Sequence, residues 1–377
     1  MKVLGITAEY NPFHDGHQYH LTESKKRAGA DAVVVCMSGN FVQRGEPAVF
    51  DKWARAKAAV EKGVDLVLEL PTYFATGSAE TFAAGSIGIF RSLGMIDAVS
   101  FGSESGSIGE LERVAAVLAE EPEEFREILR RELDGGNGFP KAREAALSGV
   151  LGEEAASLLE GSNDILGIEY LKAAKRLGFD APFIAVPRKG ESHLMTASVI
   201  RRAMRDMEAE RRYYELLTYK ILLSTKEQIE SAPAGGEGLG GRLKNSIENA
   251  ENLDELLLLV RTKRYPTARI RRLCTQTLLD IRADEVRTLP YARLLAFNET
   301  GAKLLRAAKK NGDGSVPILT NIPKEAESLA SSSPDPDSFR ASLALDIRAT
   351  DLWNLIHNRN RSAYADYRRT PFRAEND

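Results

Sequence analysis

Three of the chain's five histidines, His14, His17 and His20, fall within seven positions, and two of them frame a glycine in His14-Asp15-Gly16-His17. The preceding run, Gly5-Ile6-Thr7-Ala8-Glu9-Tyr10-Asn11-Pro12-Phe13, reads as a strand end and a Pro-containing turn, so the histidines stand where a helix begins. A helix N-terminus presents N–H groups that lack intrahelical partners, and such groups bind phosphate. Imidazoles at i and i+3 share a side of the first turn, where they can donate to phosphate oxygens as charge develops. Gly16 lets a nucleotide approach the backbone. Histidines serving only as polar helix residues have no reason to crowd so closely. A three-histidine metal site is the other chemistry to weigh. Repeated i+3 steps precess around the helix and do not converge on one ion, no cysteine is near, and Asp15 and Glu23 complete no zinc pattern, so no metal site is expected.

These residues need a scaffold. Short β-branched runs at Lys2–Ala8, Ala32–Met37, Asp65–Leu70, Asp97–Phe101 and Phe183–Val186 alternate with helical stretches, which predicts a parallel sheet covered on both faces. Asp51 is the expected N-cap of Lys52–Lys62, with Gly63 as its stop, and Asn163 the expected N-cap of Asp164–Leu177, ended by Gly178. Sites in such sheets form at the carboxyl ends of strands. That rule singles out Gly102, where a base or ribose can lie against backbone, and Arg188, placed to meet phosphate. The small, Gly-rich stretch 231–241 reads as a flexible loop and marks a domain boundary. Beyond it, Ile247–Lys263 and Thr267–Arg282 read as helices, then comes a mixed region with Val316–Thr320, a loop at 331–337 and a last helix over Phe339–His357. The residues from Arg368 read as a fraying tail. No internal repeat is evident. The expected fold is α/β over 1–235, followed by a mostly helical domain over 242–377.

With 377 residues, 43% of them hydrophobic and 28% charged, the chain is neither disordered overall nor fibrous, and its apolar runs are too short to span a bilayer. The start lacks the long apolar region of a secretory signal, and two cysteines 238 positions apart, Cys36 and Cys274, suit a reducing cytoplasm. A net charge of -3 argues against a nucleic-acid partner only if charge is spread evenly. It is not: 104–169 holds 16 acidic and 6 basic residues, whereas 261–311 holds 13 basic and 4 acidic. Within the latter, Arg261, Lys263, Arg264, Arg269, Arg271 and Arg272 can form a stripe, with 261 and 264 on one helix face and 269 and 272 on another.

The segment His14-Asp15-Gly16-His17 after a first strand resembles the HxGH signature of the nucleotidyltransferase and class I aminoacyl-tRNA synthetase superfamily. A longer set of motifs is similar to the bacterial tRNA(Met) cytidine acetate ligases: Glu9-Tyr10-Asn11-Pro12-Phe13-His14, then Ser38-Gly39-Asn40-Phe41-Val42-Gln43-Arg44-Gly45-Glu46-Pro47-Ala48, then Asn163-Asp164-Ile165-Leu166-Gly167, and Lys263-Arg264-Tyr265-Pro266-Thr267-Ala268-Arg269. The resemblance covers most of the chain. It implies a Rossmann-like, HUP-type nucleotidyltransferase domain followed by a basic domain that grips tRNA. It also implies a cytoplasmic, ATP-dependent ligase that activates acetate as acetyl-adenylate and acetylates N4 of the wobble cytidine of elongator tRNA(Met). His14 and His17 are then the catalytic pair. Thr7, Ala8, Glu9, Tyr10, Asn11, Pro12, Phe13, His14, Gly16, His17 and His20 would hold ATP, joined by Gly102, Asn163 and Arg188. Thr196-Ala197-Ser198-Val199-Ile200-Arg201 looks like the superfamily's second phosphate motif and adds Ser198 and Arg201.

Residues 38–47 make a long strand-to-helix connection, in which Asn40, Gln43 and Arg44 can recognise acetate or the cytosine edge and Phe41 can stack on a base. The six basic residues of 261–272 are the tRNA candidates, Mg2+ is expected to arrive with the nucleotide, and no obligate protein partner or membrane is called for. Two alternatives stand beside this reading: an adenylyltransferase acting on a small phosphorylated metabolite, and a non-catalytic RNA-binding protein.

Overall fold

The computed structural model describes residues 1–188, 197–359 and 363–375, with Ala197 and Ser198 known by backbone alone. The apolar runs become β1 (Val3–Ala8), β2 (Ala32–Ser38), β3 (Leu66–Leu70), β4 (Ala98–Ser103) and β5 (Phe183–Pro187), which lie parallel in the order β3-β2-β1-β4-β5. Strand order reverses around β1, and the switch opens a crevice at the carboxyl ends of β1 and β4. Helices α1 (Asp15–Ala28) and α2 (Lys52–Glu61) cover one face, burying Leu21, Trp53 and Val60 on Ile6, Val35 and Val67. The opposite face, Val34, Leu68 and Phe101, packs under α3 (Ala79–Leu93), α4 (Ile108–Glu120) and α5 (Ser162–Leu177). Asp51 caps α2 as expected, its carboxylate accepting the Ala54 N–H at 2.7 Å.

The later part of the chain returns to the same sheet. β6 (Ala292–Phe297) runs antiparallel to β3, with Arg293 opposite Glu69, and β7 (Ile318–Leu319) and β8 (Phe372–Arg373) pair with β6. The sheet is therefore mixed, and it draws three strands from beyond residue 242. The tail expected to fray carries β8 instead.

Between β5 and β6 lie α6 (Ala197–Ala203), α7 (Met207–Leu223), α8 (Leu239–Ser246), α9 (Leu253–Val260) and α10 (Thr267–Leu278), and between β7 and β8 lie α11 (Ile322–Ser332) and α12 (Pro336–Ile356). Tyr213, Leu217, Leu256, Ile270, Leu273 and Trp353 form a second core among several of them. The Gly-rich stretch is not a free loop. Arg269 donates to the Ala234 carbonyl at 3.0 Å and the Gly235 carbonyl at 2.7 Å, the Ala234 N–H donates to Gln276 at 2.7 Å, and α8 already begins at Leu239. The helix expected over Ile247–Lys263 breaks at Asn252, whose side chain caps α9 through the Glu255 N–H at 3.0 Å.

Candidate active site

The HxGH turn is its own helix cap. His14 Nδ1 accepts the Gly16 N–H at 3.0 Å, His17 Nδ1 accepts the His14 N–H at 3.3 Å, and the two rings stack with centroids 3.8 Å apart. A ring that accepts at Nδ1 and is neutral carries its proton on Nε2. Burial lowers the pKa of His14, reinforced by Arg201 and Arg188 against Asp15. It lowers His17 well below the ordinary value, with His14, His20 and Arg201 adding to the effect. Both rings are thus neutral Nε2–H donors at pH 7.

His14 Nε2 is buried without a partner among the described residues, as are Tyr10 Oη, Asn11 Nδ2 and Ser38 Oγ, while the Thr7 hydroxyl meets Tyr170. Buried polar atoms are ordinarily satisfied, so a group of orphans around one strand end marks where a polar ligand belongs. Gly16 has a reason the sequence did not disclose: a Cβ there would meet His14 Cε1 at 2.8 Å, so glycine makes room for the capping ring. His20 turns elsewhere, its Nε2 3.4 Å from Ser100 Oγ beneath the sheet's β4, and burial lowers its pKa to about 4. With two of the three rings committed to capping, the histidines do not converge. Among the described residues no group of three or more His, Cys, Asp or Glu side chains stands where it could hold a metal ion.

Several distant residues are brought to this turn. Arg201 Nη1 donates to the Asn11 carbonyl at 3.3 Å, and its Nε lies 3.7 Å from Glu46. Arg44 Nε lies 3.6 Å from Glu9, whose pKa burial raises against the pull of Arg44. Pro12 adjoins His17 through its carbonyl, Phe13 meets the same ring at a tilt with centroids 5.7 Å apart, and Ala8 ends β1. Across the crevice a Cβ on Gly102 would meet nothing within 4 Å, which leaves the space a base or ribose requires.

Asn163 is inside α5, not its cap: Gly161 is the N-cap, and Asn163 Nδ2 donates to Glu104 at 2.6 Å. Glu104 also accepts the N–H groups of Asn163 and Asp164 and lies 3.8 Å from Arg188, so its carboxylate sits on the positive end of the helix dipole. The sequence reading missed Glu104. It also missed Arg55, which is fully buried and donates to the carbonyls of Glu9, Gly39 and Phe50, holding the HxGH turn against the β2 end. In sequence Arg55 is one cation among several in an ordinary helix. Thr196 and the Ser198 side chain lie outside the described residues.

The substrate and RNA candidates divide. Asn40 is buried, donating to Thr350 at 3.1 Å and accepting the Lys52 N–H at 2.8 Å, and Phe41 is 0% exposed in the helical core, so neither offers a face to a ligand. Phe41 belongs to a short hairpin, Phe41–Val42 with Glu46–Pro47, which Asn40 precedes and whose tip leaves Gln43 half-buried and Arg44 exposed. The basic residues form no single stripe. α9 ends at Val260, so Arg261, Lys263 and Arg264 stand exposed on a connecting loop. Arg269 is tied to the Gly-rich turn, Arg271 lies 3.7 Å from Asp254 and 4.0 Å from Glu46, and burial lowers the Arg272 pKa to about 10.

The sequence matches the model of the HIGH nucleotidyl transferase family over residues 1–208 and again over 195–367. It is 36% identical to the tRNA(Met) cytidine acetate ligase of Acetivibrio thermocellus, across 95% of both chains. Identity to the ligase of the same name from a Thermoanaerobacter species is also 36%, across 97% of this chain and 98% of that one. The fold superposes on the crystal structure of Thermotoga maritima TmcAL bound with alpha-thio ATP with a TM-score of 0.90 and 33% identity, covering 99% of this chain and 100% of that one. With an intact HxGH cap at the switch point of the sheet and relatives 36% identical over 95% or more of their length, the chain belongs to the tRNA(Met) cytidine acetate ligase family of HIGH nucleotidyl transferases.

Proposed function

We propose that the protein is an ATP-dependent ligase that joins acetate to N4 of the wobble cytidine in elongator tRNA(Met). A carboxylate oxygen of acetate forms a bond to the α-phosphorus of ATP as the bond to pyrophosphate breaks. The cytidine amine then attacks the acetyl carbon of the acetyl-adenylate, the bond to AMP breaks, and the amine loses a proton. No side chain is covalently modified, so the protein's task is to position reactants and stabilise phosphate charge.

The observation that carries this reading is the unpartnered, buried Nε2–H of His14 at the start of α1. His14 donates to a phosphate oxygen. His17 fixes the backbone and ring of His14 from behind, and Arg201, folded over the turn, draws the leaving pyrophosphate. Thr7 and Asn11 add donors, Gly102 accommodates the nucleoside, and the Asn163–Glu104–Arg188 group lines the far side. Of the connection after β2, Gln43 and Arg44 are left to meet acetate or cytosine. Further charge neutralisation at the phosphates would come from Mg2+ carried by the nucleotide, since among the described residues no group of three or more His, Cys, Asp or Glu stands where it could hold the ion. Residues 1–235 do the chemistry, and 242–377, tied into the sheet by β6 to β8, hold the RNA. Arg261, Lys263 and Arg264 are its exposed contacts. A tRNA substrate places the protein in the cytoplasm, and among the described residues no helix is long and apolar enough to cross a membrane.

The test is incubation with ATP and radiolabelled acetate, with and without tRNA, and with acetyl-CoA as a control donor. Label entering tRNA from acetate and ATP supports the ligase. Transfer from acetyl-CoA alone, or AMP transfer to a phosphorylated metabolite without RNA, overturns it.

A further inference from the structure

We propose that Tyr364 and Tyr367 form a stacking platform for unpaired nucleotides of the RNA substrate, a proposal that rests on the ligase reading above. Both rings face solvent, Tyr364 at 63% and Tyr367 at 41% exposure, and they meet edge to face with centroids 5.9 Å apart. They border a groove of about 870 Å³ between α11 and α12, whose floor includes Leu343, Ile347 and Leu352. Large aromatic rings are ordinarily buried, and two of them held outward beside an apolar groove offer π-faces to bases.

The turn that bears them is held by several hydrogen bonds. Between the two tyrosines, Asp366 is buried and accepts from Lys52 Nζ at 2.8 Å, Arg293 Nη1 at 2.5 Å and Thr350 Oγ1 at 3.0 Å. Asp351 accepts the N–H groups of Tyr364 at 2.9 Å and Ala365 at 3.2 Å, and Tyr364 takes a left-handed φ of 59°. A ring held in place before binding loses little freedom when a base stacks on it.

Charge selects the partner. Arg359, Arg368 and Arg369 are exposed around the turn, and none forms an ion pair among the described residues. The carboxylates on the groove's rim are already engaged, Asp351 by backbone amides and Glu327 by Arg340 at 2.6 Å. Free cations beside exposed aromatic faces match a polyanion with unstacked bases, since a duplex keeps its bases stacked on one another. The placement agrees. Lys52 joins Asp366 to Glu69 on β3, two strands from β1, so the turn is anchored about 10 Å along the same carboxyl edge as the HxGH cap.

The test uses the full chain and two RNA probes, a stem-loop with an unpaired loop and the same stem closed as continuous duplex, with binding read by fluorescence anisotropy. Tyr364→Ala and Tyr367→Ala should each weaken stem-loop binding by about tenfold and leave duplex binding unchanged, while Tyr364→Phe and Tyr367→Phe keep the parent's affinity. Acetate-dependent ATP–pyrophosphate exchange without RNA should be the same in all of them. Unchanged stem-loop affinity in the alanine variants overturns the platform, as does equal loss on both probes. A change of sedimentation in those variants would assign the groove to self-association and also overturn it. A parent chain that neither exchanges pyrophosphate nor binds the stem-loop would remove the ligase reading and this proposal together.

Discussion

Two polar clusters sit along the carboxyl edge of one sheet, and they differ in how their buried groups are met. At the HxGH turn, His14 Nε2, Tyr10 Oη and Asn11 Nδ2 have no partners among the described residues. Two strands away, Lys52 bonds both oxygens of Glu69 and one of Asp366, and Arg293 bonds Asp366 from the other side, leaving only Asp366 Oδ1 without a partner. Burial pushes the Asp366 carboxyl up, but Lys52 and Arg293 outweigh it and hold the group below the usual carboxylate range. Burial raises Glu69 to about 7 despite Lys52. The physical difference is one of purpose. Saturated charges fix a geometry, here the junction of the later chain with the sheet, whereas orphaned donors wait for a ligand.

The comparison is broken if its two sides respond alike. Asp366→Ala should have the largest effect, since it leaves the buried Arg293 without its carboxylate and Lys52 with Glu69 alone, and it costs about 3–5 kcal/mol of stability by denaturant unfolding. A loss within the range of a surface substitution would show that the cluster does not hold the fold. His17→Ala should leave unfolding within about 1 kcal/mol of the parent, the worth of a cap, yet reduce acetyl-adenylate formation by about 100- to 1,000-fold with RNA binding intact. Equal loss of fold and activity in this variant would erase the distinction.

A smaller effect sharpens the same contrast among the basic residues. Replacing Arg261, Lys263 and Arg264 together by glutamine should make the salt dependence of tRNA binding shallower by about 2, whereas Arg272→Gln, a mostly buried site, should leave the slope unchanged. A shift of slope with Arg272→Gln would return that residue to the RNA surface. A last effect appears only with pH and is set by His20, whose pKa burial lowers from its ordinary 6.5 to about 4. Between those values the unfolded chain binds more protons, so stability is full above pH 6.5 and falls as pH drops toward 4. His20→Gln should flatten that part of a melting-temperature profile.

Much of the frame was legible. The five parallel strands, Asp51 as a cap and the HxGH turn all follow from composition and spacing within a few residues, because local hydrogen bonding and side-chain periodicity decide them. Asn favours the cap position, which is why composition points to Asn163, but the carboxylate on that helix end is Glu104, 59 residues earlier, just past the end of β4. Arg261 and Arg264 were assigned to a helix that ends before them. Arg269 and Arg272 looked equally available, but the Gly-rich turn engages one and packing covers most of the other.

Composition and spacing are thus enough to place the five parallel strands, the cap of α2 and the HxGH turn. Only the tertiary structure decided which polar groups are spent and which are free. Lys52 and Asp366 are 314 positions apart, and they meet because β6 enters the sheet antiparallel to β3 with Arg293 opposite Glu69. No local pattern encodes that register. A side chain's partners depend on which distant segment packs against it, so charge pairs, orphaned donors and outward-facing tyrosines become distinguishable only once the chain has closed on itself.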